Sequence, residues 1–519
     1  MAADPSINAC EETPIEVDAC GVMVPAPAPI HFGQAVGKIG RLSSIYLFGG
    51  IVPPLISMVL LRVFTQYIAP SQMDIVTLAT RIAGPLQIFV TLCFVNGLRM
   101  QYFRFDEPQR PRLLRTMLLG QIGASALIGV VLSIAGVWAA GWMLPKLPLT
   151  PKYVFDLWLM VVWGCFFAGL IDLATCASQL MERATTTVSL NFTNYLSQAG
   201  LGVFAVVFFG WQGFGRQGTI FLGLVVAGAA GAAFLWRQGQ GWFDPKMFRR
   251  VGGMGLTFIP HNMANNLQFA LNAWMLNTKA PPGCLAVYGI AQAFASLIDL
   301  PVQSLLSAAY PTLARLMNDG GAESRRQQAR LYTLLAVGIA VLLLGSALFS
   351  PVAIRLCTTP AYHEAANVVI LLILAWMFQS LYNLVLQPLF YFGGGFGVAT
   401  ASVSAVLSTF LFSLLLIPRW GMYGAAWAVV GCFAVKFVVA AVASTCFYRL
   451  PWEISKIVRA LACAAILVGL DIWLVDKLEF MLAVALKCGL FLAILPLLLT
   501  MRVVSIGELL RLKGMVFAK

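Results

Sequence analysis

Apolar stretches of roughly 20 residues, the length that crosses a bilayer, recur from Ser44 to Met501 with only short links between them. In hydrocarbon a backbone must satisfy its own N–H and C=O groups, so separate stretches of this kind are helices. With 60% hydrophobic and 11% charged residues, the chain cannot close around a single water-soluble core. Fourteen spans are predicted, the first from Ser44 to Phe64 and the last from Phe480 to Met501. The longest link is some fifteen residues, too short for a soluble catalytic domain, so function must lie within the membrane.

Lys and Arg set the orientation, because cytoplasmic links carry the excess. With the N-terminus inside, 23 of the 34 fall on the cytoplasmic side, eight on the other, and Arg81, Lys436 and Lys487 lie within spans. An odd number of spans would erase this bias. Both termini are predicted to be cytoplasmic. The net charge of +13 is scattered in small groups between apolar runs and forms no basic face, which argues against nucleic acid as a partner. The 11 cysteines stand singly, without CxxC spacing, and imply neither metal nor disulfide nor cofactor.

Four regions are predicted: a disordered acidic tail over 1–43, a first lobe of six spans over 44–237, a second lobe of six over 252–447, and two further spans with a short C-terminus over 448–519. Laid on itself with a shift of about 210 residues, the chain sets Val76–Arg81 against Val287–Gln292, Arg104 against Arg315, and Trp211 and Gly213 against Trp420 and Gly421. Six helices per unit inserts both halves the same way up, as parallel repeats about an axis along the membrane normal.

Polar residues within spans are costly and cluster at bundle interiors or watery cavities. In the seventh span His261, Asn265, Gln268 and Asn272 share one helix face, flanked by Asn262 and Asn266, and Pro260 is placed to kink the helix. The eighth carries Tyr288, Gln292, Ser296, Asp299 and Gln303 at similar spacing, and the tenth Gln379, Asn383 and Gln387. Such stripes either hold helices together or line a wet chamber, and two long ones on adjacent helices favour the chamber. Arg62 and Arg81 lie on the corresponding helices of the first half. Their forked guanidinium groups suit phosphate, while Arg62 could equally be an interface anchor. Asp172, Lys436, Asp471 and Lys487 are isolated span residues, for which a buried ion pair is the simpler reading and a proton or cation relay the bolder one.

The stretches Gly255–Arg315 and Gln387–Ala440, with QPLFYFGG and LIPRWGMYGAAWAVV, resemble the Wzx-type polysaccharide flippases, of the superfamily that also holds lipid II flippases and multidrug-and-toxin extruders. The resemblance covers roughly residues 40–500. It implies two lobes rocking about a central cavity, a lipid-linked oligosaccharide as substrate, membrane lipids as surroundings, and a polysaccharide polymerase with its export machinery as partners. Arg62 and Arg81 would then attract the diphosphate and the amide stripes the sugar hydroxyls. The family's seventh-helix Asp, sixteen residues before a Tyr, is Asn272 here, before Tyr288. That departure weakens the case for cation coupling at this position and leaves proton or sodium coupling elsewhere open. A cation-coupled multidrug exporter and a membrane-embedded glycan polymerase or ligase are the competing readings.

Overall fold

The computed structural model describes residues 15–17, 23–25, 52, 53, 56–146, 149–319, 321–391, 395–447, 450–475, 480–501 and 503. Most of the predicted acidic tail and the start of the first predicted span lie outside them. Within the tail, β1 (Ile15–Val17) pairs antiparallel with β2 (Met23–Pro25). Every other regular element described is helical.

The first lobe comprises α1 (Ile56–Tyr67), α2 (Pro70–Thr91), α3 (Phe94–Gln101), α4 (Arg110–Met143), α5 (Pro151–Leu180), α6 (Ala184–Phe209) and α7 (Gly213–Gln238). A linker helix, α8 (Pro245–Leu256), leads to the second lobe. There follow α9 (Ile259–Lys279), α10 (Cys284–Ser296), α11 (Asp299–Asp319), α12 (Ala322–Cys357), α13 (Ala365–Tyr391) and α14 (Gly395–Phe447). The last two helices are α15 (Ile454–Val475) and α16 (Phe480–Thr500).

Eleven helical stretches among the described residues are long and apolar enough to cross a membrane, against fourteen predicted spans. Three of the predicted spans account for the difference. The described part of the first span is short; α9 is too rich in amides; and α14 holds two predicted spans in one element that turns at Gly421, where φ is 52°. Glycine adopts that angle without the Cβ clash other residues suffer. Beyond the turn the chain runs back along itself, so that the Cys432 Sγ meets the Ala405 carbonyl at 3.3 Å.

The repeat is visible in the helices. A shift of about 210 residues carries α4 onto α12, α5 onto α13 and the α6–α7 pair onto the two arms of α14. Even an irregularity repeats, because the second helix of each lobe is broken. α2 ends where Leu92 and Cys93 both take left-handed angles (φ 50° and 54°), and α10 stops at Ser296 before α11 restarts at Asp299. Left-handed backbone costs roughly 1–2 kcal/mol per non-glycine residue, so the break in α2 is held by its surroundings. Pro260 sits in the first turn of α9, after a two-residue gap from α8; lacking an N–H, it starts a helix well, and the predicted kink is a helix boundary.

Lipid-facing surface is apolar, with Trp138, Trp142, Trp236, Trp420 and Trp473 each more than half exposed. Indole rings of this kind settle at membrane interfaces.

Candidate functional site between the lobes

The lobes meet at two ends of the bundle with a polar cavity between. At the first end, Asp74 opens the contact. Its carboxylate, at the start of α2, accepts hydrogen bonds from the Gly283 N–H at 2.5 Å and the Ala286 N–H at 2.7 Å. Those amides belong to the N-terminus of α10 in the other lobe, where unpaired N–H groups and the helix dipole favour an anion. Asp74 is 4% exposed. Around it Arg62 donates to the Thr358 carbonyl, the Thr359 hydroxyl to the Thr65 carbonyl at 3.0 Å, and the Tyr362 hydroxyl to the Ile68 carbonyl at 2.8 Å. Trp274 donates to the Trp142 carbonyl at 3.0 Å, Asn277 to the Pro145 carbonyl, and Lys146 to the Thr278 carbonyl. The Asp74 end is closed.

At the opposite end α3 packs on the linker helix α8. Gly97 approaches so closely that a Cβ there would lie 2.2 Å from the Val251 carbonyl oxygen. Phe94 meets Phe248 edge-on at 5.1 Å. α8 is anchored to the first lobe by Asp244, which caps it through the Lys246 and Met247 N–H groups and pairs with Arg112 at 3.2 Å.

Between these ends lies a cavity of about 350 Å³, walled by α2, α3, α5 and α9. Gln87, Asn96, Arg99, Asp172, Asn262 and Asn266 supply its polar groups. Asp172 accepts from the Gln87 amide at 2.7 Å. Asn266 donates to the Asn262 carbonyl at 3.0 Å, and its side chain fits against Gly84, where a Cβ would meet the amide oxygen at 2.8 Å. Asn262 donates to the Cys93 sulfur at 3.4 Å, at the break between α2 and α3. Two larger cavities, of about 630 and 650 Å³, lie on the flank of the first lobe beside exposed Trp138 and Trp211.

Arg81 lies one turn before Gly84 on α2. Its guanidinium sits 6.0 Å from the Phe269 ring centroid on α9 and has no hydrogen-bond or carboxylate partner among the described residues. It lies within electrostatic reach of Tyr288, whose buried hydroxyl is itself unpaired.

The stripe on α9 divides. Asn262 and Asn266 face the first lobe and the cavity, whereas the other four turn into the second lobe. His261 meets Ser402 at 3.2 Å, Asn265 meets His261 at 3.2 Å, and Gln268 accepts from Cys432 at 3.2 Å. Asn272, 1% exposed, donates to the Ala425 carbonyl at 3.1 Å and the Ser413 hydroxyl at 3.4 Å. The eighth-span stripe is interrupted by the break between α10 and α11. Tyr288 and Gln292 are buried in α10, while Asp299 opens α11 and accepts from the exposed Gln303 at 3.3 Å. Of the isolated ionisable residues, Asp471 and Lys487 form a buried ion pair at 2.5 Å joining α15 to α16. Sequence reasoning passed over Asp74, Arg99 and Gln87. Asp74 falls at the first residue of a predicted span, where a carboxylate reads as interfacial, and only the fold brings the α10 N-terminus to it.

No curated protein matches the chain by sequence. Among solved structures, the lipid II flippase MurJ in an inward closed conformation superposes with a TM-score of 0.67 at 12% identity, covering 89% of this chain and 99% of that one. An inward-facing multidrug resistance MATE family transporter of the MOP superfamily gives 0.60 at 13% identity, over 81% of this chain and 98% of that one. The MATE multidrug transporter DinF-BH gives 0.58 at 16%, over 80% and 96%. These likenesses establish the fold. A family model described as polysaccharide biosynthesis protein matches residues 39–317, which is more than half of the 519 residues and includes both walls of the cavity. The chain is a multi-pass membrane protein that belongs to the polysaccharide biosynthesis protein family.

Proposed function

We propose that the protein is a transporter and not an enzyme: a flippase that moves polyprenyl-diphosphate-linked oligosaccharide repeat units across the bacterial inner membrane by alternating access, for exopolysaccharide, capsule or O-antigen synthesis. The observation that carries this reading is the Arg81 guanidinium, held between the lobes without an anionic partner among the described residues, one turn from a polar cavity. An intramembrane cation with no counter-ion invites one, and a forked donor fits a diphosphate. The cavity volume of about 350 Å³ falls at the small end of the 300–1,000 Å³ typical of ligand pockets. It would take the diphosphate and first sugar, with Asn262, Asn266 and Arg99 donating to oxygen and Asp172 and Gln87 accepting from hydroxyls. The prenyl tail stays in lipid. Arg62, His261, Asn265, Gln268, Asn272, Tyr288, Gln292, Asp299 and Gln303 join the site only as the lobes part, since in the closed arrangement they engage protein groups or lie off the cavity.

The excess of Lys and Arg assigns the α8 end and both termini to the cytoplasm. The closed Asp74 end then faces outward, and the lobes 44–237 and 252–447 are the units that rock. Cells lacking the protein should accumulate lipid-linked repeats in the cytoplasmic leaflet. Arg81→Ala should reproduce that block at normal membrane abundance; wild-type export from it would sink the assignment. The structural likeness to multidrug transporters keeps a cation-coupled exporter as the second reading, which a drug-sensitive deletion strain with intact glycan export would favour.

A further inference from the structure

Lys436, on the second arm of α14, is 2% exposed. No carboxylate among the described residues lies within ion-pairing distance of its Nζ. Instead Nζ donates to the Asn265 side-chain oxygen on α9 at 3.1 Å and to the Gln379 side-chain oxygen on α13 at 3.2 Å. The Tyr382 ring lies 4.4 Å away and the Phe433 ring 5.8 Å.

The direction of every surrounding hydrogen bond is fixed so that oxygens point inward. Gln379 spends its amide N–H₂ on the Asn383 oxygen at 3.3 Å, which leaves its own oxygen for the ammonium. Asn265 spends its N–H₂ on His261 Nε2, so that nitrogen accepts and the ring carries its proton on Nδ1, toward Ser402. The Ser402 hydroxyl in turn donates to the Val398 carbonyl at 2.9 Å. His261 is thereby held neutral beside the lysine. Asp299 on α11 exerts its field on the ammonium from beyond bonding distance, and Cys432 completes the titratable groups facing it.

Two convergent neutral oxygens and two aromatic faces, without a carboxylate, make a receptor for a weakly hydrated single positive charge. We infer that this pocket is a monovalent-cation site, which the protein fills with its own side chain. A tethered ion has a local concentration no dissolved ion reaches and does not leave. The ammonium therefore pins α9, α13 and α14 together in the closed arrangement, and no ion exchanges here while it is seated. This inference stands apart from the transport reading, because its test needs no cargo.

The test is thermal unfolding of the purified full chain in detergent, in choline chloride and with ammonium, potassium or sodium added. Lys436→Ala empties the pocket and should melt lower in choline. Each tenfold rise in ammonium above its dissociation constant should then raise its melting temperature by an equal step, while the wild type stays unmoved. Gln379→Glu, with the lysine retained, sets a carboxylate against the ammonium and should hold or raise the melting temperature. A Lys436→Ala protein indifferent to all three cations, or a wild type that responds equally, would overturn the inference. Should Lys436→Ala fail to fold, a marked loss of stability in Gln379→Glu would overturn it alone.

Discussion

Replacing Asp74 with Asn tests what holds the first end shut. The carboxylate accepts two backbone N–H groups across the lobe interface, at 2.5 and 2.7 Å, with 4% of the residue exposed. Hydrogen bonds to a charged group contribute about 1.5–3 kcal/mol each. The amide is nearly isosteric but can offer only one oxygen, and it turns a donor toward the second N–H. Losing one bond and weakening the other amounts to about 3 kcal/mol, or roughly two decades in the open-to-closed ratio. A reporter is already present in Cys284, which is part-buried and adjoins Gly283 at that interface. Alkylation by a membrane-impermeant maleimide, mapped to Cys284 by mass spectrometry, should run up to about 100-fold faster in Asp74→Asn when reaction requires opening. A labelling rate equal to wild type, in a variant that inserts normally, would refute the latch.

Other perturbations probe the remaining contacts. Asp471→Ala should lower unfolding stability by about 3–5 kcal/mol because Lys487 is left as an unpaired buried charge, whereas Asp471→Leu with Lys487→Met should come close to wild type; thermal unfolding in detergent separates the two. Gly97→Ala should drive α3 off α8, since its Cβ would lie 2.2 Å from a backbone oxygen, and crosslinking between cysteines placed on those helices should fall. At the base of α15, burial pushes the Glu453 carboxyl up, yet hydrogen bonds from Lys456, Thr333 and Arg330 outweigh it and hold the group below its ordinary range. A lowered folded value means the stabilisation is present above the ordinary carboxylate pKa of about 4.3 and is lost as pH falls through the folded value. Glu453→Gln should flatten that acid limb of a stability profile, and an unchanged limb would exclude Glu453 as its source.

What was legible in the sequence follows from which forces are local. Span positions and the repeat could be read because apolar length and its recurrence are written along the chain, and the structure pairs α4 with α12 and α5 with α13 at the same shift. The helix break at Leu92–Cys93 could not. No proline or glycine stands at it, and tertiary contacts impose it, whereas Pro301 in the first turn of α11 does mark the restart at Asp299. The α9 stripe shows the same limit. Periodicity grouped His261, Asn265, Gln268 and Asn272 on one face, but only the packing decides that this face meets α14 while Asn262 and Asn266 meet the cavity. Asp471 and Lys487 carried no joint signal, since their pairing depends on how α15 and α16 lie together.

The interruption between α2 and α3 bears on how the cavity should be probed. A helix that stops mid-membrane leaves its last carbonyls without intrahelical donors. The Val90 carbonyl is taken by the Ser125 hydroxyl at 2.6 Å, and Ile88 and Thr91 stand in the cavity wall. Carbonyls released at such a break survive any side-chain replacement. Alanine scanning leaves them in place, and backbone amide-to-ester exchange near the break is the complementary experiment.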